Sequence, residues 1–502
     1  MKKLSIILLC LALCLGALSG CSDIVIDPSP TAGASAASAT LPPDAIDPAP
    51  DDSPKGAEIT LEGTGARIHG GGVSASGGVV TISSPGSYSV KGTLSDGCII
   101  VDTGEVKGDV TLTLRGADIT CLSGPAIHVI EAKNFDLVLE NGTENRLVSG
   151  SADSIPDEKQ NGAALFCEDD LDILGTGSLE IFGYLNNGIT CKDDLDIKDG
   201  TISVTAVNNG VKGSESVEIF AGSLTVRAGN DGVKATSAKK EGKGFVSISG
   251  GTIEISALGD GISAESELTV SGGEIRITTT GEKNERSCKA IKAKTLLTIS
   301  GGTLVLACED HALHSAGDML LSGGTLSIVS HAGKGVSAHG ALELSGSILD
   351  IEAGSDGIEA EESITVSGGE IRLLAGADGL KAGSKTGSGA GTLTIEGGSV
   401  TLSAYGDPFD AKGGAVISDG VFIGVGSPKT ARGFSAESTQ RSLLFALGGA
   451  KDTAAEVKTA SGESVGTIEA RCGYTCAIFS VPGLTSGSYT LSLGTLSASA
   501  EA

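Results

Sequence analysis

Ten turns of this chain place a polar or charged residue just before positions 188, 210, 232, 261, 290, 312, 335, 357, 379 and 408. Those residues are Asn187, Asn209, Asp231, Asp260, Lys289, His311, Lys334, Asp356, Asp378 and Asp407. Most successive positions lie one even step apart, of about 22 residues, and three steps are longer, the mark of a repeat array. When repeats stack, one position becomes a ladder. Two acidic clusters follow, Asp231 with Asp260, and Asp356 with Asp378 and Asp407. Carboxylates one repeat apart repel, and a shared proton or a hard cation relieves them. Ca2+ takes about six to eight oxygens from carboxylates, Asn side chains and backbone carbonyls. The candidate metal ligands are therefore Asp231, Asp260, Asp356, Asp378 and Asp407, with Asn209, Asn230 and Asp410 beside them. The competing reading is local, because Asx-Gly is a good turn pair whose side chain bonds nearby backbone.

Two residues after each turn glycine position comes Thr190, Lys212, Lys234, Ser263, Lys292, His314, Ser337, Glu359, Lys381 or Asp410. The flanking residues alternate inward, so this column faces out. Lys212 and Lys234 fall near Asp231, and Lys381 near Asp378. An ammonium beside a cation-bound carboxylate attracts a uronic acid, which makes Lys212, Lys234 and Lys381 candidate carbohydrate contacts. In a lyase, Lys234 or Lys381 would instead take the proton α to a carboxylate. Solvated charge pairing is the plainer alternative. His311, His314, His331 and His339 cluster in two coils with Glu309 and Asp310, a set a transition metal would suit. On one strand, however, His311 and His314 face opposite ways unless a turn intervenes.

The elements that position these groups are short strands. In "DGIEAEESITVSGGEIRLLA", residues 356–375, Ile358 and Ala360, then Ile364 and Val366, then Ile371, Leu373 and Ala375 alternate with polar residues. Three period-two strands in each repeat, stacked in register, describe an all-β, right-handed parallel β-helix. Each coil adds about 4.8 Å along the axis, and Ile, Val, Leu and Ala ladders fill the interior. The three longer steps carry seven extra residues each, read as loops after the strand that follows the turn, as in 236–244 and 383–391. The β-helix is expected over 58–430. Residues 431–502 read as antiparallel strands that cap its open end, or else as a separate small β-sandwich.

The beginning of the chain, "MKKLSIILLCLALCLGALSGCSD", has two lysines, a short apolar run and Leu18-Ser19-Gly20-Cys21. It resembles a bacterial lipoprotein signal, with residues 1–20 as leader and Cys21 lipidated. Residues 21–57, rich in Pro, Ala, Ser and Asp, read as a disordered tether. The protein is then expected on the outer face of the bacterial cell membrane, as a monomer. The formal charge is −27 over 502 residues, and loss of Lys2 and Lys3 with the leader takes it to −29. Such a surface repels nucleic acid and repels acidic polymers unless a cation bridges. With no Trp and five Tyr, stacking of sugar rings on aromatics has little to work with. Cys167 with Cys191, Cys288 with Cys308, and Cys472 with Cys476 are close enough along the coils or chain to stack as thiols or to bridge.

The succession "VTLTLRGADITCLSGPAIHVIEAKNFDLVLENGTENRL", "LFCEDDLDILGTGSLEIFG", "NNGITCKDDLDIKDGTISVTA" and "NDGVKA" resembles the extracellular, calcium-binding carbohydrate-binding β-helix family of cellulose- and pectin-degrading anaerobes. The likeness runs over about residues 58 to 495. It implies a pectate-lyase-like fold and binding, rather than cleavage, of acidic plant polysaccharide. By position it implies calcium at Asp231, Asp260, Asp356, Asp378 and Asp407. Lys289, His311 and Lys334 depart from that pattern and split the cation ladder into two patches. The expected function is thus calcium-dependent binding of uronic-acid polysaccharide such as pectin. The alternatives are a Ca2+-using polysaccharide lyase with a Lys base, and a structural surface protein or adhesin.

Overall fold

The computed structural model describes residues 56–106, 108–155, 162–281, 287–383 and 390–502. The leader, Cys21 and the tether through residue 55 lie outside the described residues. Gly56 and Ala57, assigned to the tether on composition, open the strand Gly56–Gly63 instead.

One revolution is made by the strands Asp194–Ile197, Thr201–Ala206 and Val211–Gly213. Each lies parallel to its copy in the next coil: Asp196 beside Glu218, Ser203 beside Thr225, Lys212 beside Lys234. The β-helix expected from the repeat is therefore present. Alternation decides which side chains enter the interior. Leu195, Ile197, Ile202, Val204 and Val211 are at most 1% exposed, and each such burial stabilises by roughly 1.5–3 kcal/mol. One core of this kind runs from Ile59 to Phe422.

The turn between the second and third strands needs glycine for closeness rather than for unusual dihedrals. A Cβ on Gly210 would lie 2.2 Å from Val226 Cγ1 and 2.7 Å from the Gly232 carbonyl oxygen. Each turn glycine thus lets one coil settle onto the next.

Insertions are looped out without disturbing register. Two follow the third strand, as expected. The third does not: it separates Glu274–Thr279 from Ile291–Ala293, ahead of the turn. Thr279 still pairs with Ala257 and Ile291 with Ile262, so any corner tolerates extra residues as long as the strands re-enter in line.

The N-terminal end is covered by two antiparallel hairpins, Gly56–Gly63 with Ala66–Gly70 and Val73–Ser76 with Val79–Ile82. At the other end Cys476–Ser480 runs antiparallel to Val421–Gly426 and to Leu443–Phe445. Thr453–Thr459, Ser464–Ala470, Ser488–Leu493 and Leu496–Glu501 form a four-stranded antiparallel sheet with its own core around Phe445, Val457, Phe479 and Leu491. The tail therefore pairs the last open strand of the solenoid and also builds a small second core.

Candidate functional site

The turn residues do stack, and their side chains bond backbone. The Asn209 amide N–H donates to Asn187 Oδ1 (3.1 Å), that of Asp231 to Asn209 Oδ1 (3.3 Å), and that of Asp260 to Asp231 Oδ1 (2.8 Å). Lys289 donates likewise to Asp260 Oδ1 (2.9 Å), Asp378 to Asp356 Oδ1 (3.1 Å), and Asp407 to Asp378 Oδ1 (3.0 Å). His311 serves the same purpose through Nδ1, which accepts the Lys334 amide (3.0 Å). From Asn187 to Asp378, wherever the column holds Asn, Asp or His rather than Lys289 or Lys334, one side-chain acceptor thus satisfies a backbone donor of the next coil, and leaving such a donor unpaired in the interior costs about 1–3 kcal/mol.

The other carboxylate oxygens go to lysines. Lys234 Nζ lies 2.7 Å from Asp231 Oδ2, Lys292 Nζ 3.0 Å from Asp260 Oδ2, and Lys381 Nζ 2.8 Å from Asp356 Oδ2 and 3.7 Å from Asp378 Oδ2. Burial alone would raise the Asp356 carboxyl, but its hydrogen bonds with Glu359, Lys381 and the Asp378 amide outweigh that and hold it below the usual range. Burial would likewise lower Lys381, and the carboxylates around it raise it instead. A lysine held in its charged form in this way is a poor general base.

Calcium can be tested against this donor set. Asp231, Asp260, Asp356 and Asp378 each give one oxygen to an amide, and the first three give the other to an ammonium. Asn209 Oδ1 accepts from both the Asp231 amide and Asn230 Nδ2 (3.2 Å). These groups do not fit a cation that needs about six oxygens. Among the described residues no group of three or more His, Cys, Asp or Glu is arranged to hold a metal ion. Asp407 and Asp410, at the end of the ladder, stand apart from the rest. They line an open pocket of about 450 Å3 with Asp378, Lys429 and Arg432. Burial, then Asp378 and Asp410, push the Asp407 carboxyl above its ordinary value.

The three lysines expected to meet sugar separate. Lys381 is buried between Asp356 and Glu359. Lys234 is held by Asp231. Lys212 sits between Thr190 and Lys234 in its row, half-buried and with no acidic partner among the described residues. Burial first, and Lys234 second, push its pKa down. An ammonium partly withdrawn from water without a counterion is a place where an anion is favourable.

The turn that His311 and His314 needed does intervene: their ring centroids are 5.7 Å apart, and those of His314 and His339 5.1 Å. Burial and the nearby Lys289 push His314 down to about 3.

Two groups were not read from sequence. On the first strands Asp136 pairs with Asp172, Asp172 with Asp196, and Asp196 with Glu218. Burial, Asp172 and Glu218 push Asp196 up to about 6. The signal was there in the repeated Asp-Asp-Leu-Asp-Ile of 169–173 and 193–197. On the second strands the Arg146 guanidinium carbon lies 5.0 Å from the Phe182 ring centre, and Phe182 stacks on Tyr184 at 5.7 Å and 18°. Arg146 also lines a groove of about 480 Å3 with Asp118, Glu180 and Ser203. These coils precede the regular period, so no column exposed them.

A β-solenoid with ladders of polar side chains along its outer faces is a scaffold for holding an extended polymer. The family model described as "Carbohydrate-binding domain-containing protein" matches residues 76–332 and 315–464, and the chain belongs to that family. A protein of the same description from Acetivibrio thermocellus is 34% identical over 137 residues, 27% of this chain and 48% of that protein. The chain thus matches about half the length of this relative. A solved structure of "the polysaccharide lyase-like protein from C. thermocellum", a gadolinium derivative, shares 32% identity with a TM-score of 0.44, covering 49% of this chain and 96% of its own.

Proposed function

We propose that this chain binds acidic, uronic-acid polysaccharide such as pectin along the third strands of its N-terminal coils, with Lys212 as the principal contact. The supporting observation is the half-buried Lys212 ammonium beside Lys234, with no acidic partner among the described residues. The amide side chains of Asn187 and Asn209 in this region add no negative charge, so a carboxylate meets less repulsion here than elsewhere on a chain of charge −27. Calcium enters this reading only at Asp407 and Asp410, whose oxygens the ladder leaves unclaimed. Cys21 carries the lipid that holds the protein on the outer face of the bacterial membrane.

Binding to polygalacturonate and to an uncharged β-glucan, for wild type and Lys212→Gln, tests this. The variant should lose about tenfold in affinity for polygalacturonate, about 1.4 kcal/mol, and nothing for the neutral polymer. Unchanged polygalacturonate binding in Lys212→Gln would refute the assignment. Calorimetric Ca2+ titration of wild type and Asp410→Asn tests the metal, and absence of heat in wild type would remove it. Cys21→Ala should release the protein from the membrane fraction.

A further inference from the structure

Eight cysteines are described, all as free thiols, and they are not alike. Cys167 and Cys191 pair across adjacent strands, fully buried, and both donate to the Asp169 carbonyl, at 3.2 and 2.9 Å. Cys308 donates to the Asp310 carbonyl (3.1 Å) and Cys472 to that of Ala404 (3.4 Å). Burial pushes Cys308 up to about 12 and Cys476 up to about 11. Sulfurs held as protonated donors inside a core are poor nucleophiles.

Cys98 and Cys121 differ in two respects: one of the pair reaches the surface, and one of the two thiols is lowered rather than raised. Cys98 opens the strand Cys98–Asp102 and is partly exposed, while Cys121 ends the strand Val110–Cys121 at 7% exposure. Two contacts bracket them and fix neighbouring coils in register. The Gly97 amide donates to the Thr120 carbonyl (2.9 Å), and the Leu122 amide to Asp96 Oδ1 (3.1 Å). Coils about 4.8 Å apart put two such residues within the roughly 4.4–6.8 Å Cα separation that a disulfide spans. The two sulfurs are hydrogen-bonded to each other, and the amides of Ser123 and Gly124 turn toward Cys121. A Cβ on Gly124 would lie 3.9 Å from Cys121 Sγ, ordinary contact distance, so this turn passes directly beside the sulfur. The bond from Cys98, together with those amides, overcomes burial and brings the Cys121 thiol down to about 6. The same bond, with burial, pushes Cys98 up, so the two sulfurs titrate as one coupled pair whose first proton leaves readily.

We propose that Cys98 and Cys121 are a thiol–disulfide site, oxidised by a small disulfide such as glutathione disulfide to a bridge between neighbouring coils at the N-terminal end of the solenoid. Cys98, the sulfur that reaches solvent, passes its proton to Cys121, and its thiolate attacks one sulfur of the donor, whose other half leaves as a thiolate. Cys121 then gives up its proton to solvent or to the leaving thiolate and attacks Cys98 Sγ, expelling the second donor thiol. The donor disulfide is reduced to two thiols, and the protein pair loses two hydrogens.

The test uses the full chain, incubated with glutathione disulfide at pH 7, alkylated under denaturing conditions and digested. Cys98 and Cys121 should be recovered as one linked peptide, two hydrogens lighter and reversible by dithiothreitol, with the other described cysteines alkylated. Cys121→Ser should stop at a glutathione adduct on Cys98. Oxidised wild type should melt higher than reduced wild type, a difference absent from Cys98→Ser. Recovery of Cys98 and Cys121 both alkylated after oxidation, or a bridge formed between Cys167 and Cys191 instead, would overturn the proposal.

Discussion

The turn ladder is built from amides at one end and carboxylates at the other, and the rung is the same. Asn187 Oδ1 accepts the next coil's amide at 3.1 Å, and so does Asp356 Oδ1. The architecture needs an acceptor one carbon beyond Cβ and is indifferent to its charge. What differs is the second oxygen or nitrogen. In the acidic coils Asp356 engages Lys381 and leaves it buried and unavailable. In the amide coils no acid among the described residues engages Lys212. The same scaffold thus neutralises its own cation at one end and, among the described residues, leaves Lys212 without an acid at the other.

The largest effect should come from breaking the acidic end. Asp356→Ala removes a rung and leaves the Lys381 ammonium, whose side chain is 9% exposed, without its nearest partner. Loss of one member of a buried pair costs about 3–5 kcal/mol, read as a fall in the urea midpoint. Asn209→Ala removes the corresponding acceptor where no charge is stranded and should cost about 1–3 kcal/mol. Equal losses in the two variants would erase the distinction between the ends.

Exchanging charge without changing shape sharpens the comparison. Asn209→Asp keeps the Oδ1 rung and gives Lys212 an acid neighbour but loses the Asn209 Nδ2 bond to Asn187 Oδ1 (3.0 Å), so stability should fall by about 1–3 kcal/mol. Polygalacturonate affinity should also fall about tenfold. Retained affinity would mean that Lys212 is not the contact.

The smallest effect is one of pH. Asp356, held low, contributes stability that is present above the ordinary carboxylate range and lost as pH falls through its depressed value. Asp196 has the opposite sign. Its folded-state value near 6 lies above the unfolded value, so its ionisation costs stability as pH rises from about 4 to about 6, and the loss levels off above that. Asp196→Asn should therefore raise the melting temperature at pH 8 and leave it unchanged at pH 4. A gain at both pH values would assign the effect to packing instead.

Much of this was legible in the sequence because a solenoid makes its fold periodic. The even step gave the coil, the alternation around Ile364 and Val366 gave the interior, and the Asx column gave the ladder. The third insertion was misplaced because seven polar residues carry no information about which corner they leave. The Arg146–Phe182–Tyr184 stack and the Cys98–Cys121 pair escaped because the connections there are longer and uneven. Ile100 pairs with His128, and His128 with Phe166, and neither separation matches the later step or the other.

Residue order by itself determined which positions face the lumen, how far the chain advances per turn, and which columns carry acid, amide or ammonium, since pleat and period are local properties of the backbone. Only the tertiary structure decided what each polar group spends its bonding capacity on. That choice depends on the distance and direction of nearby atoms: an amide for Oδ1, an ammonium for Oδ2, and for Lys212 no acid among the described residues.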